Sequence, residues 1–197
     1  MMKFTKKDIV SRLPLFSLWV LFAAVGVVLD QLTKIAAVSS LKGQGVQPFI
    51  PYVFDLVYVE NRGAAWGMFA DHRWVFMSIS TLAVILMTAV LFFYAKEHKM
   101  FCISLAAVIS GGIGNMIDRV ANGYVVDFLR FEFYKDFPVF NVADIFVTLG
   151  CICLAVYMIF IDKTIFREQK AAVEVKENDK NNRQKSLIDK IKKVKNQ

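Results

Sequence analysis

Residues 140–161 read FNVADIFVTLGCICLAVYMIFI, and this stretch decides the fold class of the chain. Its one charged residue is Asp144, near the start, and charge returns only at Asp162 and Lys163. A helix that crosses the hydrocarbon core of a bilayer needs about 20 mostly apolar residues. The stretch therefore predicts a transmembrane helix.

Three further runs meet the same length requirement, at about residues 13–29, 74–95 and 100–117. The sequence is compatible with an extension of the first helix past Asp30 toward Val38. This first run has the alternative interpretation of a signal peptide cleaved near residues 36–39, but three more apolar spans follow it. We therefore predict an all-α integral membrane protein with four transmembrane helices.

The charged residues lie mainly outside these spans. The chain is 56% hydrophobic yet has a net charge of +7, and the excess of Lys and Arg lies before Leu13 and from Lys163 onward. Basic segments beside apolar spans follow the positive-inside rule, so a nucleic-acid partner is not expected. With an even number of spans, both termini are predicted in the cytoplasm, and the loops at about 36–73 and 118–139 on the outer face.

The domain organisation follows from the same pattern. We predict a membrane domain at residues 1–162 and a basic cytoplasmic tail at 163–197, mostly disordered because it is charged and poor in apolar residues. The cysteines lie inside apolar runs without zinc-type spacing, so no disulfide, metal or other cofactor is predicted.

The two long loops contain β-rich stretches. Residues 54–59 alternate in the manner of a half-buried strand, and residues 124–130 form a second β-like run. Pro48 and Pro51 precede the first run and are interpreted as turn residues. A small extracytoplasmic β-sheet, or cradle, is therefore predicted beside the helices.

The third span contains Gly111, Gly112 and Gly114. Small residues let transmembrane helices approach closely. We interpret these glycines as packing residues, with contact to a ligand as the less favoured role.

Ionisable and amide side chains cluster at the ends of the predicted spans. An ionisable group in a bilayer is costly and marks a functional site by default. The cluster consists of Asp30, Lys34, Asn115, Asp118, Arg119, Asp127, Asn141 and Asp144. The predicted topology puts every member at the outer face. Helical spacing brings Lys34 next to Asp30, and it puts Asn115, Asp118 and Arg119 on one helix face.

The carboxylates indicate the chemistry. Asp118 and Arg119 also fit a charge pair at a helix end, but Asp127 and Asp144 have no obvious cation assigned to each. Two carboxylates that come together share one proton, which is the acid–base pair of an aspartic protease. The histidines lie outside the spans and the sequence contains no HExxH, so serine–histidine and zinc protease chemistry are not supported.

The stretch Asn141-Val142-Ala143-Asp144 has the form of a helix start, with Asn141 near the cap and Asp144 in the first turn. A helix dipole favours negative charge there, so we predict that Asp144 carries the charge and Asp127 holds the shared proton. Arg119 is expected to fix the backbone of an outer loop, because its planar fork bridges several acceptors.

Five blocks of the sequence match, in order, the motifs of a known family. They are DQLTK at 30–34, NRGAAWG at 61–67, GGIGNMIDR at 111–119, VVDF at 125–128 and FNVAD at 140–144. Over about residues 13–162 the chain resembles the lipoprotein signal peptidases, also called signal peptidase II. The long basic tail is the one departure from the family pattern.

The resemblance implies four helices, an outer β-cradle and an aspartic endopeptidase of the bacterial cytoplasmic (inner) membrane. It implies a catalytic dyad of Asp127 and Asp144 and no cofactor. The polar residues that the resemblance assigns to the support of this dyad are Asp30, Lys34, Asn61, Asn115, Asp118, Arg119 and Asn141. The implied substrate is a prolipoprotein that carries diacylglycerol on a Cys and is cleaved just before that Cys. Membrane lipid is the other expected partner, and we expect a monomer.

Two other functions are open from the residues alone. A small transporter or proton channel would spread its ionisable groups through the membrane depth, whereas these crowd at one face. A non-catalytic membrane assembly factor would tolerate loss of either carboxylate.

The aromatic residues near the site fit an interfacial belt better than contacts with acyl chains. They are Trp66, Phe69, Phe128, Phe131 and Phe133.

Overall fold

The computed structural model describes residues 6–63, 73–96 and 98–161. In chain order the elements are helix α1 Lys6–Leu41, strands β1 Gln47–Ile50 and β2 Phe54–Asn61, helices α2 Arg73–Phe93 and α3 Lys99–Ala121, strand β3 Val125–Phe131 and helix α4 Val142–Val156. The chain forms two compact units, Met1–Ala155 and Val156–Gln197. The described part of the second unit contains a π-helical turn at Tyr157–Ile161. The predicted tail at 163–197 lies outside the described residues.

Helix α1 continues past the end of the first apolar run. It has 36 residues, so the predicted extension beyond Asp30 toward Val38 is confirmed. Ala37 and Leu41 are buried in a cluster with Phe128 of β3. The region of the alternative cleavage site is therefore part of the folded core, which favours a retained helix over a removed signal peptide.

Three helical stretches are long and apolar enough to cross a bilayer: Asp8–Leu41, Lys99–Ala121 and Val142–Ile161. A shorter apolar stretch, Met77–Phe93, lies in α2. The mostly helical, integral membrane character is confirmed by these lengths and compositions. The number of four spans stays a prediction.

Helix α3 lies between α1 and α2 in the helical core. A buried apolar cluster joins the three helices. It consists of Ala23 of α1, Leu91 of α2, and Cys102, Leu105, Ala106 and Ile109 of α3. Since α3 also carries Asn115, Asp118 and Arg119, this packing fixes the position of three predicted site residues.

The glycines of α3 permit close contacts with α1 and α4. A Cβ on Gly111 would lie 2.2 Å from the carbonyl oxygen of Ala143, and one on Gly114 would lie 2.6 Å from Oδ2 of Asp30. Both distances are shorter than any van der Waals contact. The predicted packing role is therefore confirmed for these two residues.

We expect Gly111→Ala to lower the free energy of unfolding by about 1–3 kcal/mol, the usual cost of overpacking a core. The atom that the new methyl would meet belongs to the backbone of α4 and cannot rotate away. Thermal unfolding in detergent measures the change. Gly45→Ala is the control, because a Cβ there meets nothing within 4 Å. Equal loss of stability in both variants would contradict the close approach of α3 and α4.

The strands form one antiparallel sheet in the order β1-β2-β3. Strands β2 and β3 confirm the β-rich stretches predicted at 54–59 and 124–130. Strand β1 was not predicted, because Pro48 was interpreted as a turn residue. Pro48 lies in this edge strand instead, a position that tolerates a residue without a backbone N–H.

The register of the sheet brings two site residues to one face. A shift between Leu56 and Val59 interrupts the β2–β3 pairing. Beyond it, Val59 lies opposite Asp127 and Asn61 lies opposite Val125. Because side chains alternate along a strand, Asn61 and Asp127 project from the same face as diagonal neighbours.

Candidate active site

Asp127 and Asp144 come from different elements and line one cavity. Asp127 lies in β3 and Asp144 in the first turn of α4. The cavity has a volume of about 440 Å³, and Asn61, Asn115 and Arg119 also line it. Much of the remaining wall is apolar and includes Phe131, Phe137, Phe140, Ile145 and Leu149. The site therefore combines carboxylates with an apolar surface.

Amide donors contact both carboxylate oxygens of Asp127, which is only 3% exposed. Nδ2 of Asn141 lies 2.7 Å from Oδ1, and Nδ2 of Asn61 lies 2.8 Å from Oδ2. Burial and then the negative charge of Asp144 raise the pKa of Asp127 to about 7, against the opposing effect of the two amides. Asp127 can therefore gain or lose a proton near neutral pH.

Asp144 and Asn141 cap the start of α4 reciprocally. The backbone N–H of Asn141 donates to Oδ2 of Asp144 at 3.1 Å, and that of Asp144 donates to Oδ1 of Asn141 at 3.0 Å. Nδ2 of Asn115 donates to the other oxygen, Oδ1 of Asp144, at 2.8 Å. The predicted cap geometry is confirmed, and it has the pattern of a capping box.

Lys34 links α1 to α3 through two buried carboxylates. Its Nζ lies 2.9 Å from Asp30 and 3.1 Å from Asp118, and all three side chains are at most 3% exposed. The other oxygen of Asp30 accepts the backbone N–H of Ala143 at 2.9 Å. Asp118 accepts the backbone N–H of Val126 at 3.0 Å. Asp30 and Asp118 thus anchor the start of α4 and β3, next to Asp144 and Asp127.

Arg119 contacts two backbone carbonyl groups. Its guanidinium donates to the oxygens of Asn115 and of Gly63, each at 3.4 Å. Gly63 follows β2, and its own N–H donates to Oδ1 of Asn61 at 3.0 Å. Arg119 therefore contacts the backbone that follows β2, as expected from its planar guanidinium group. The residue it contacts, Gly63, also holds Asn61, one of the two amides that donate to Asp127.

All nine predicted site residues belong to this one network. Gln31 was missed as a member, although it lies in the first motif. Its Nε2 donates to Asp118 at 3.0 Å and to Asp30 and the Gly114 carbonyl at 3.2 Å. Its adjacency to Asp30 was the only sequence signal. Residues 64–67 of the second motif, and Trp66 and Phe69 with them, lie outside the described residues.

Two of the predicted aromatic residues, Phe131 and Phe128, have different contacts, and the interfacial belt stays a prediction. Phe131 lines the cavity and forms ring contacts with Phe137 and Phe140, at centroid distances of 5.2 and 5.1 Å. Phe128 packs instead against α1. Within residues 6–63, 73–96 and 98–161, no three His, Cys, Asp or Glu side chains form a group suited to a metal ion.

Comparison with known proteins identifies the family to which this chain belongs. A family model described as signal peptidase (SPase) II matches residues 22–160. This chain belongs to the signal peptidase II family. Relatives named lipoprotein signal peptidase include those of Clostridium acetobutylicum, 44% identical over 146 residues, and Clostridium tetani, 41% identical over 155 residues. The matches cover 73% and 75% of this chain and 94% and 98% of those relatives.

Two solved structures, each described as a bacterial membrane enzyme studied by the in meso method, share the fold. One has a TM-score of 0.65 at 30% identity and covers 74% of this chain and 94% of its own. The other has a TM-score of 0.63 at 29% identity and covers 75% and 90%. As a member of the signal peptidase II family, the protein is an aspartic peptidase.

Proposed function

We propose that the protein is an endopeptidase that removes signal peptides from diacylglyceryl-modified prolipoproteins, cleaving just before the lipidated Cys. The observation that carries the proposal is the pair Asp127 and Asp144. Two carboxylates from separate elements line one cavity, and amide donors hold both. The negative charge of Asp144 raises the pKa of Asp127, and such interacting carboxylates favour a shared proton, which is what a water-activating dyad requires.

In the proposed reaction Asp144 is charged and Asp127 is protonated. Asp144 takes a proton from water while the water oxygen attacks the carbonyl carbon of the scissile peptide, and Asp127 gives its proton to the carbonyl oxygen. Collapse of the tetrahedral intermediate breaks the C–N bond. Asp144 passes its proton to the leaving amine, and Asp127 recovers one from a hydroxyl of the intermediate. The raised pKa of Asp127 suits it to the role of acid.

Specific residues support the lipidated character of the proposed substrate. The cavity wall next to the dyad is formed by Phe131, Phe137, Phe140 and Leu149. Apolar side chains of this kind favour contact with acyl chains and with the apolar part of a signal peptide. Asn61 and Arg119 add hydrogen-bond donors that can bind the peptide backbone.

Cleavage of a purified, diacylglyceryl-modified prolipoprotein in detergent tests the function directly. We expect release of the signal peptide and a new amino terminus at the lipidated Cys, read by mass spectrometry. The same precursor without its lipid is the matched comparison and should be cut much more slowly. Cleavage at another bond, or no preference for the lipid, would contradict the proposal.

We also propose a topology for the chain in the bacterial cytoplasmic membrane. The domain at residues 1–162 spans it four times as a monomer, the dyad lies at the extracytoplasmic face, and both termini, with the tail at 163–197, lie in the cytoplasm. The support is the basic excess at both ends of the sequence.

A reporter that is active only outside the cytoplasm, fused after Gln197, should therefore be inactive. The same reporter inserted after Gly45, between α1 and β1, should be active. The opposite pattern would reverse the proposed orientation, and activity at both positions would mean an odd number of spans.

A further inference from the structure

Lys34 is a buried cation whose hydrogen-bonding capacity is fully used. It is 3% exposed, and its Nζ lies 2.9 Å from Oδ2 of Asp30, 3.1 Å from Oδ2 of Asp118 and 2.9 Å from Oδ1 of Asn115. An ammonium group has three N–H donors and no acceptor. Each donor therefore has one oxygen, and the third of these oxygens belongs to an amide rather than a carboxylate.

The contact with Lys34 determines which way the Asn115 amide faces. The side of the amide that faces the ammonium must be the oxygen, because an NH₂ group there would set donor against donor. A second donor, Nδ2 of Asn141, lies 3.1 Å from the same oxygen. The NH₂ group of Asn115 is thereby turned to Oδ1 of Asp144, at 2.8 Å.

The geometry points to Lys34 as a positioning residue that acts through Asn115. By fixing the amide oxygen, Lys34 holds Asn115 as a donor to Asp144 and so favours the charged form of Asp144. This inference rests on the proposed function, since it assigns Lys34 a role in the same reaction.

The other amides at the dyad are oriented by backbone groups. Oδ1 of Asn61 accepts the Gly63 N–H at 3.0 Å, and Oδ1 of Asn141 accepts the Asp144 N–H at 3.0 Å. Both then present Nδ2 to Asp127. Asn115 differs because a charged side chain takes part in its orientation, and a side chain can be removed by substitution.

The positive charge of Lys34 favours negative charge on both aspartates of the dyad. The charged groups that interact with Lys34 are Asp30 on its own helix, Asp118 on α3, Asp127 on β3 and Asp144 on α4. Its positive charge holds the pKa of Asp127 below the value that burial and Asp144 would otherwise impose. Removing Lys34 should therefore shift proton uptake by the dyad to higher pH.

The test is the pH dependence of kcat/KM for cleavage of the lipidated precursor by Lys34→Met. We expect kcat/KM at neutral pH to fall about ten- to hundredfold, the effect of losing an oriented hydrogen bond to a charged group. We also expect both limbs of the profile to move up by about one pH unit, because the charge of Lys34 acts on both Asp127 and Asp144. Lys42→Met is the matched control, since Lys42 is 55% exposed and pairs with Glu60, and it should keep the wild-type profile.

A double-variant cycle with Asn115→Ala separates positioning from a merely structural role. If Lys34 acts through Asn115, adding Lys34→Met to Asn115→Ala should reduce kcat/KM by less than about threefold. An unshifted acidic limb in Lys34→Met, or independent losses in the cycle, would overturn the inference. If Lys34→Met does not fold, Asp30→Asn combined with Lys34→Met keeps the net charge of the site and carries the double-variant cycle.

The wild-type reaction distinguishes the two proposals. No cleavage by the folded wild-type protein would count against the proposed function. Wild-type cleavage together with an unshifted Lys34→Met profile would count against the positioning role alone.

Discussion

Asp127→Asn and Asp144→Asn should each reduce kcat for cleavage of a lipidated precursor by about 10⁴-fold or more, as for other catalytic groups that act as one unit. An amide keeps the size of the side chain but cannot transfer a proton. The double variant should be little slower than either single variant, because the first substitution already removes the shared proton. The measurement is single-turnover cleavage by purified protein in detergent.

The matched control is Asp136→Asn, which changes an exposed carboxylate in the segment between β3 and α4 and should retain wild-type activity. In Asp144→Asn, loss of the neighbouring negative charge should lower the pKa of Asp127 from about 7. Substantial activity in one single variant would remove that residue from the dyad and make Asp118 the next candidate.

The spans and the polar cluster could be predicted because both depend on local sequence. Apolar length indicates a membrane helix, and the cost of burying charge places Asp30, Asp118 and Asp144 near the ends of the apolar runs. The Asn141 cap could be predicted for the same reason, since Asn141 and Asp144 are only three residues apart. These features need no knowledge of how the helices pack.

The partners of Lys34 show where prediction from sequence ends. Helical spacing predicts its contact with Asp30, but the contacts with Asp118 and Asn115 join residues more than 80 positions apart. They depend on how closely α1 approaches α3, which the glycine at 114 permits. Strand β1 was missed because a proline signals a turn and an edge strand equally well.

Substitution of Asn141 should affect both activity and stability, because Asn141 has two separable roles and is fully buried. Its Oδ1 caps α4, and its Nδ2 donates to Asp127 at 2.7 Å. We expect Asn141→Ala to lower kcat/KM about ten- to hundredfold and the free energy of unfolding by about 1–2 kcal/mol. Activity assays and thermal unfolding in detergent measure the two effects.

Asn141→Ser separates the roles. A serine hydroxyl is a good cap, so it should restore most of the stability lost in Asn141→Ala. It is too short to replace Nδ2 at Asp127, so activity should stay low and the alkaline limb of the pH profile should move up, since this amide lowers the pKa of Asp127, the proposed acid. Asn122→Ala, at the exposed end of α3, is the control for loss of an asparagine at a helix end. Wild-type activity in Asn141→Ser would show that the cap alone matters and that Asp127 needs no donor from α4.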